Sequence, residues 1–241
     1  MTAALAPEIL AVLVTGATGL SGRAVARRFA ADGARLALSG SDPVRLAGVI
    51  GSLGLATDRA FAVPGDLTDP EAAREVVAAA EAAFGRVDVL VHLVGGWTGG
   101  TAVADLDHAE VRSMLDQPLW TTLNTLQAVL PGMTSRGFGR VVAVSSPFAA
   151  VPGPRGASYA MAKAAEEVLL RSVAREAASH GVTANILVIR TLDDERSRAA
   201  QPNAKTAGWT TPEELADAIA WLTSPAAAAV NGQRIPLDGR G

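Results

Sequence analysis

Short apolar runs alternate along nearly the whole chain with longer segments of helical periodicity. ILAVLVTG (9–16), ARLALSG (34–40), RAFAVPGDL (59–67), VDVLVHLVGG (87–96), RVVAVSS (140–146), VTANILVIR (182–190) and GQRIPLDG (232–239) have the length and content of buried strands. Between them, residues 22–33, 43–53, 69–85, 107–136, 158–181 and 211–224 read as helices. The segment 69–85 carries proline at its start, acids in its first turn and glycine at its end, which are the signals that set helix limits. Strands alternating with helices of this length specify a parallel sheet with right-handed crossovers, and strands apolar on both faces agree, because both faces of such a sheet are covered. The expected architecture is α/β: a doubly wound parallel sheet of about seven strands with helices on both faces. No linker, composition break or repeat divides the chain, so residues 1–241 are expected to form a single domain. Ligands of open parallel sheets sit beyond the carboxyl ends of the strands, which places candidate sites near 15–22, 40–45, 66–67, 95–100, 145–159 and 190–210.

Composition narrows the function classes. The sequence is 49% hydrophobic, enough for a large core, and its net charge is −3 with no basic run, which argues against a nucleic-acid surface. Cysteine is absent, so neither disulfides nor thiolate metal sites are available, and His92, His108 and His180 lack ligand spacing. No metal site is expected. MTAALAPEIL has no basic n-region, and no apolar run approaches the ~18 residues that span a bilayer. A soluble cytoplasmic protein without a membrane partner is the expectation.

The turn TGATGLSG (15–22) follows the first strand and opens a helix. Gly16 suits the tight turn, Gly19 the close approach of a phosphate and Gly22 close helix–strand packing, with Thr18 and Leu20 offering backbone amides at the helix N-terminus. This is the arrangement of a dinucleotide site. The acid that would bind a ribose 2′-hydroxyl after strand two is missing from SGSDPVR. Ser39, Ser41 and Arg45 could instead receive a 2′-phosphate, with Asp42 opposing it unless turned away. NADP(H) is therefore weakly preferred over NAD(H).

SYAMAKAA (158–165) contains the chain's single tyrosine, Tyr159, with Lys163 one helical turn on and Ser146 thirteen residues before it. TGATGLSG, GDLTD, VLVHLVGG, VVAVSS and YAMAK, in this order and spacing, resemble the short-chain dehydrogenase/reductases from residue 9 to about 239. The resemblance implies a Rossmann-type fold and an NAD(P)-dependent oxidoreductase acting on a small-molecule carbonyl. It implies that Tyr159 is the general acid, that Lys163 favours the phenolate and holds the ribose, and that Ser146 binds the substrate oxygen. Ser145 stands one residue too far from the tyrosine. Asp66 and Leu67 would hold the adenine edge, and Gly95 would keep the backbone close to the cofactor.

The departures are specific. Leu20 occupies the place of the family's middle glycine, and His92 and Leu93 replace two asparagines. Pro118, in LDQPLW, falls where the family has a catalytic asparagine; a water relay that dispenses with that side chain is expected, with a bend in helix 107–136. Asp194 falls on the position of a threonine that contacts the nicotinamide amide, and Thr191 is the nearby substitute. VGGWTGG, QPLWTT and TLDD are locally similar to dihydropteridine reductase and its relatives.

Trp97, Trp120, Phe148 and Trp209 fall near the expected mouth, which suggests a bulky, aromatic or quinonoid substrate; Trp97, Phe148 and Trp209 are the candidate contacts, while Trp120 and Phe148 equally suit helix–strand packing. The polar stretch 191–210 reads as a lid. Val168, Leu169 and Val173 form an apolar stripe on helix 159–178, and family members pair this helix between subunits, so a homodimer or homotetramer is expected. The alternatives are a dihydropteridine-type quinonoid reductase and a catalytically weak dinucleotide-binding sensor or partner protein.

Overall fold

Apolar side chains point to both faces of every central strand, so the sheet folds between two helical layers. The computed structural model describes residues 9–238; the first eight, read above for a leader, lie outside the described residues. β1 (Ala11–Thr15), β2 (Arg35–Gly40), β3 (Ala60–Pro64), β4 (Val89–His92), β5 (Gly139–Ser145), β6 (Val182–Ile189) and β7 (Arg234–Leu237) form one parallel sheet in the order β3-β2-β1-β4-β5-β6-β7. Val12 and Val14 pack toward α1 (Leu20–Ala31), α2 (Pro43–Leu53) and α8 (Pro212–Thr223). Ala11 and Leu13 pack toward α3 (Pro70–Phe84), α5 (Thr121–Arg136) and α6 (Ala157–Glu176). The chain reverses direction across the sheet between β1 and β4, and a crevice opens at such a reversal because neighbouring connections leave on opposite faces.

The helix expected over 107–136 is interrupted where the proline falls. α4 (His108–Leu115) runs into a π-turn at Asp116–Trp120 before α5 begins. Pro118 has no N–H to donate and its ring crowds the carbonyl one turn earlier; widening the turn relieves both problems. The hydroxyls of Thr121 and Thr122 donate back to the carbonyls of Gln117 and Pro118, satisfying acceptors that the widened ladder leaves over.

The stretch expected to be a lid is tied to the body. Asp193 is buried and accepts the backbone amides of Ser197 and Arg198 at the start of α7 (Ser197–Ala200). Arg198 donates to Trp209 O and Glu214 at 2.6 Å each, and Arg196 pairs with Glu213 of α8 at 2.8 Å.

His92 joins three elements at the crevice. Its Nδ1 lies 2.9 Å from Thr15 Oγ1 of β1 and its Nε2 lies 3.2 Å from Thr121 Oγ1 of α5. Because Thr121 spends its one proton on Gln117 O, His92 Nε2 is the donor in that contact and Nδ1 the acceptor. Burial, aided by the charge of Lys163, lowers His92 from 6.5 to about 3, so the ring is neutral in the folded protein.

Two outcomes are expected. A Cβ at Gly22 would stand 2.5 Å from Gly16 O and 2.6 Å from Ala17 Cα, so Gly22→Ala must push α1 off the turn and lose about 1–3 kcal/mol in denaturant unfolding. Folded His92 stays neutral while the unfolded chain protonates it below pH 6.5, so stability falls as pH drops from about 6.5 toward 3. Its share of the slope is at most about 1.4 kcal/mol per pH unit, and His92→Asn, compared by unfolding across pH, should be flatter by that share.

Candidate active site

The first crossover supplies the backbone of the site. Gly16 sits at φ +67° and a Cβ there would lie 2.6 Å from Leu93 O, whereas a Cβ at Gly19 would meet only Gly16 O at 3.5 Å and otherwise extend into open space. Glycine at 16 serves the turn; glycine at 19 keeps a cradle empty in front of the α1 N-terminus. This cradle is part of a cavity of about 540 Å³ whose wall includes Gly16, Thr18, Gly19, Ser41, Arg45, Asp66, Leu67 and Gly95. Of the other residues predicted to contact a dinucleotide, Gly22 serves packing, Leu20 points outward at 49% exposure, and Ser39 is fully buried with its hydroxyl unpartnered. None of these three lies on that wall.

Asp42 does not face the cavity. Its carboxylate caps α2, accepting from Val44 N at 2.9 Å and Arg45 N at 3.0 Å. The rim at the end of β2 is thereby left to Ser41 and Arg45. Asp66 is held by Thr68, whose amide and hydroxyl donate to Oδ1, while Asn124 of α5 donates to the carbonyls of Leu67 and Thr68. Asn124 escapes sequence reasoning because its partners lie in a different crossover.

A second cavity of about 470 Å³ shares Leu93, Val94 and Gly95 with the first, and its wall includes Trp97, Ser145, Tyr159, Lys163 and Thr191. α6 delivers Tyr159 and Lys163 to one side at a one-turn spacing. The Tyr159 ring is half-buried and meets Phe148 edge-on at 6.2 Å. Lys163 is 7% exposed, and its Nζ donates to Val144 O at 2.8 Å and to Glu166 Oε2 at 2.7 Å. Burial pushes the Glu166 carboxyl above its usual range, with the charge and hydrogen bond of Lys163 opposing. Next along α6, buried Glu167 accepts both contacts from Arg234 Nε at 3.0 and 3.1 Å, and Arg234 Nη2 donates to Ser146 O at 3.1 Å. Two adjacent glutamates thus hold two cations, which grip Val144 O and Ser146 O at the end of β5. The signal for them was two charges in a run that is otherwise apolar.

The two serines divide differently from their spacing. Ser145 is on the cavity wall with its buried hydroxyl unpartnered. Ser146, immediately after β5, accepts from Phe148 N at 3.3 Å, leaving its own proton available, and is not among the wall residues. Of the predicted substrate contacts, only Trp97 is on the wall, at 67% exposure. Phe148 is turned over Gly153 and Gly156, where an added Cβ would come within 2.9 and 2.8 Å of its ring, and Trp209 is half-buried outside the wall. Where Pro118 cannot offer an amide, Gln117 does: its side chain lines the first cavity, with Oε1 about 3.0 Å from where a Gly96 Cβ would be. Asp194 lies in a separate surface depression with Arg23 and Arg196, while Thr191 is on the wall. Among the described residues there is no group of three metal-ligating side chains, and no helix is long and apolar enough to cross a membrane.

Comparisons with known proteins agree with this geometry. The family model described as short chain dehydrogenase matches residues 10–202. Subunit BbsC of a hydroxy(phenyl)methylsuccinyl-CoA dehydrogenase from Thauera aromatica is 33% identical over 232 residues, covering 94% of this chain and 92% of that protein. The 3-oxoacyl-acyl-carrier-protein reductase FabG of Vibrio cholerae is 30% identical over 235 residues, covering 94% and 95%. Among solved structures, levodione reductase superposes with a TM-score of 0.86 at 25% identity, over 96% of this chain and 98% of that one. With sheet order, glycine turn and relatives in agreement, the chain belongs to the short-chain dehydrogenase/reductase family of oxidoreductases.

Proposed function

We propose that the protein transfers hydride between NADP(H) and the carbonyl carbon of a bulky or aromatic small molecule, with Tyr159 as general acid in reduction and general base in oxidation. The observation that carries this reading is the joining of two cavities through Leu93, Val94 and Gly95, one built on the glycine turn and one on Tyr159 and Lys163. The empty cradle at Gly19, free of any side chain, fits a pyrophosphate against the α1 N-terminus. Ser41 and Arg45 would hold a 2′-phosphate, Asp66 and the Leu67 backbone the adenine, Lys163 the ribose and Thr191 the nicotinamide amide. When bound, the nicotinamide supplies or accepts the hydride.

The side chains have separate tasks. The Tyr159 hydroxyl gives its proton to the carbonyl oxygen as negative charge builds there, and Lys163, positively charged on the same wall, stabilises the phenolate left behind. Ser146 orients the carbonyl oxygen with the proton that its contact to Phe148 N leaves free. Trp97, on the cavity wall, gives a flat substrate a surface to lie against. The phenyl group in the name of the Thauera relative supports an aromatic substrate. A homo-oligomer through α6 is part of the proposal: Val168 is 54% exposed, although Val173 of the same stripe belongs to the core. A second reading, a low-turnover dinucleotide-binding partner, draws on Pro118 and on the relative's description as a subunit.

Titration with NADPH and NADH, read by nicotinamide fluorescence, should show tighter binding of NADPH; binding of neither would overturn the reading. Against a panel of aryl ketones and quinones, Tyr159→Phe should lose about 10³-fold in turnover while keeping cofactor affinity. An unaltered rate, or a wild-type protein with no turnover, would favour the partner role. Ser146→Ala should cost about 10²-fold in kcat and Ser145→Ala less than about tenfold; the reverse order would move the role to Ser145.

A further inference from the structure

The buried face of α6 runs through Lys163, Glu166, Leu170 and Val173, one every three or four positions. Leu170 and Val173 belong to the core, and position 166 lies on the same buried face one turn earlier. Glu166 stands there, 1% exposed, and desolvating a carboxylate is costly unless a partner offsets it. Lys163 is placed for that purpose: its Nζ donates to Glu166 Oε2 at 2.7 Å. Thr122 Oγ1, 3.5 Å from Glu166 Oε1, gives its one proton to Pro118 O in the π-turn and so offers the carboxylate no donor.

An ammonium has three N–H groups. Lys163 commits one to Val144 O and one to Glu166, which leaves one for the cavity it lines. Without Glu166, the four-carbon side chain would keep a single backbone acceptor and could swing about it.

We infer that Glu166 is a positioning residue for the reaction, its carboxylate fixing Lys163 Nζ against Val144 O so that one N–H is held toward the cofactor ribose and Tyr159. This rests on the assignment of Lys163 as partner of Tyr159. The carboxylate also tempers the field of the lysine: removing its negative charge leaves the cavity wall more positive, which favours negative charge on a reacting group there. The other groups around the pair do not duplicate it. His92, facing from β4, stays neutral above about 3. Glu167, next on α6, is paired with Arg234 of β7.

Three variants test the inference, each assayed for fold by circular dichroism, for NADPH affinity by fluorescence, and for kcat and KM across pH. Glu166→Gln keeps an acceptor oxygen and removes the charge. It should hold NADPH affinity within about threefold and move the basic limb of carbonyl reduction to lower pH by about one unit. Glu166→Leu removes the acceptor as well, and should weaken NADPH binding about tenfold and lower kcat further than Glu166→Gln does, the loss expected for one charge-assisted hydrogen bond. A folded Glu166→Leu protein with wild-type affinity, kcat and pH profile would overturn the proposal. If Glu166→Leu fails to fold, an unmoved pH limb in Glu166→Gln overturns it and the shift sustains it. Lys163→Met separates the two levels: wild-type affinity and turnover in that variant would refute the role of Lys163 itself and, with it, the positioning role of Glu166.

Discussion

A parallel sheet whose strands are apolar on both faces must be covered on both, and that requirement organises the molecule. Each connection has to cross a face as a helix, and the order β3-β2-β1-β4-β5-β6-β7 leaves one place where successive crossovers part, between β1 and β4. Gly16 and Leu93, at the ends of those two strands, approach so closely there that a side chain at 16 would strike backbone. The two cavities meet at the same edge. The site is thus a consequence of how the core is covered, and its position needs no residue of its own.

Polar groups at this edge are dense and mostly paired, because they are buried near the strand ends where carbonyls lose their ladder partners. Lys163 and Arg234 take up Val144 O and Ser146 O, and Glu166 and Glu167 hold those two cations in turn. Among the described residues, two buried hydroxyls at this edge stay unpaired, those of Ser39 and Ser145. Ser39 is enclosed, while Ser145 borders the cavity.

Much of this was legible in the residues. The seven strands and the helices between them follow from alternation of apolar runs with amphipathic segments, and the observed limits lie within a few positions of those expected. The glycine trio was legible because its spacing after a strand has one steric meaning at each position. Pro118 announced a disturbance in the long helix, since a missing N–H acts locally, and the structure resolved it as a π-turn rather than a simple bend. Side-chain direction was less accessible. Phe148 and Trp209 fall in the expected windows yet are not among the wall residues, and Asp42 caps its own helix instead of lining the first cavity.

The sequence by itself determined the order of elements, the parallel sheet, the glycine turn and the one-turn spacing of Tyr159 and Lys163, because each rests on local sterics or on periodicity. Only the tertiary structure decided which serine borders the cavity, that Gln117 supplies an amide beside Pro118, and that Glu166 and Glu167 are interior partners of Lys163 and Arg234. Those outcomes depend on how α6 packs against β6 and β5, which brings its buried face to Val144 O and to Arg234 of β7. A charge in an apolar stripe can be satisfied only by groups from other elements, and the position of those groups is fixed when the layers pack.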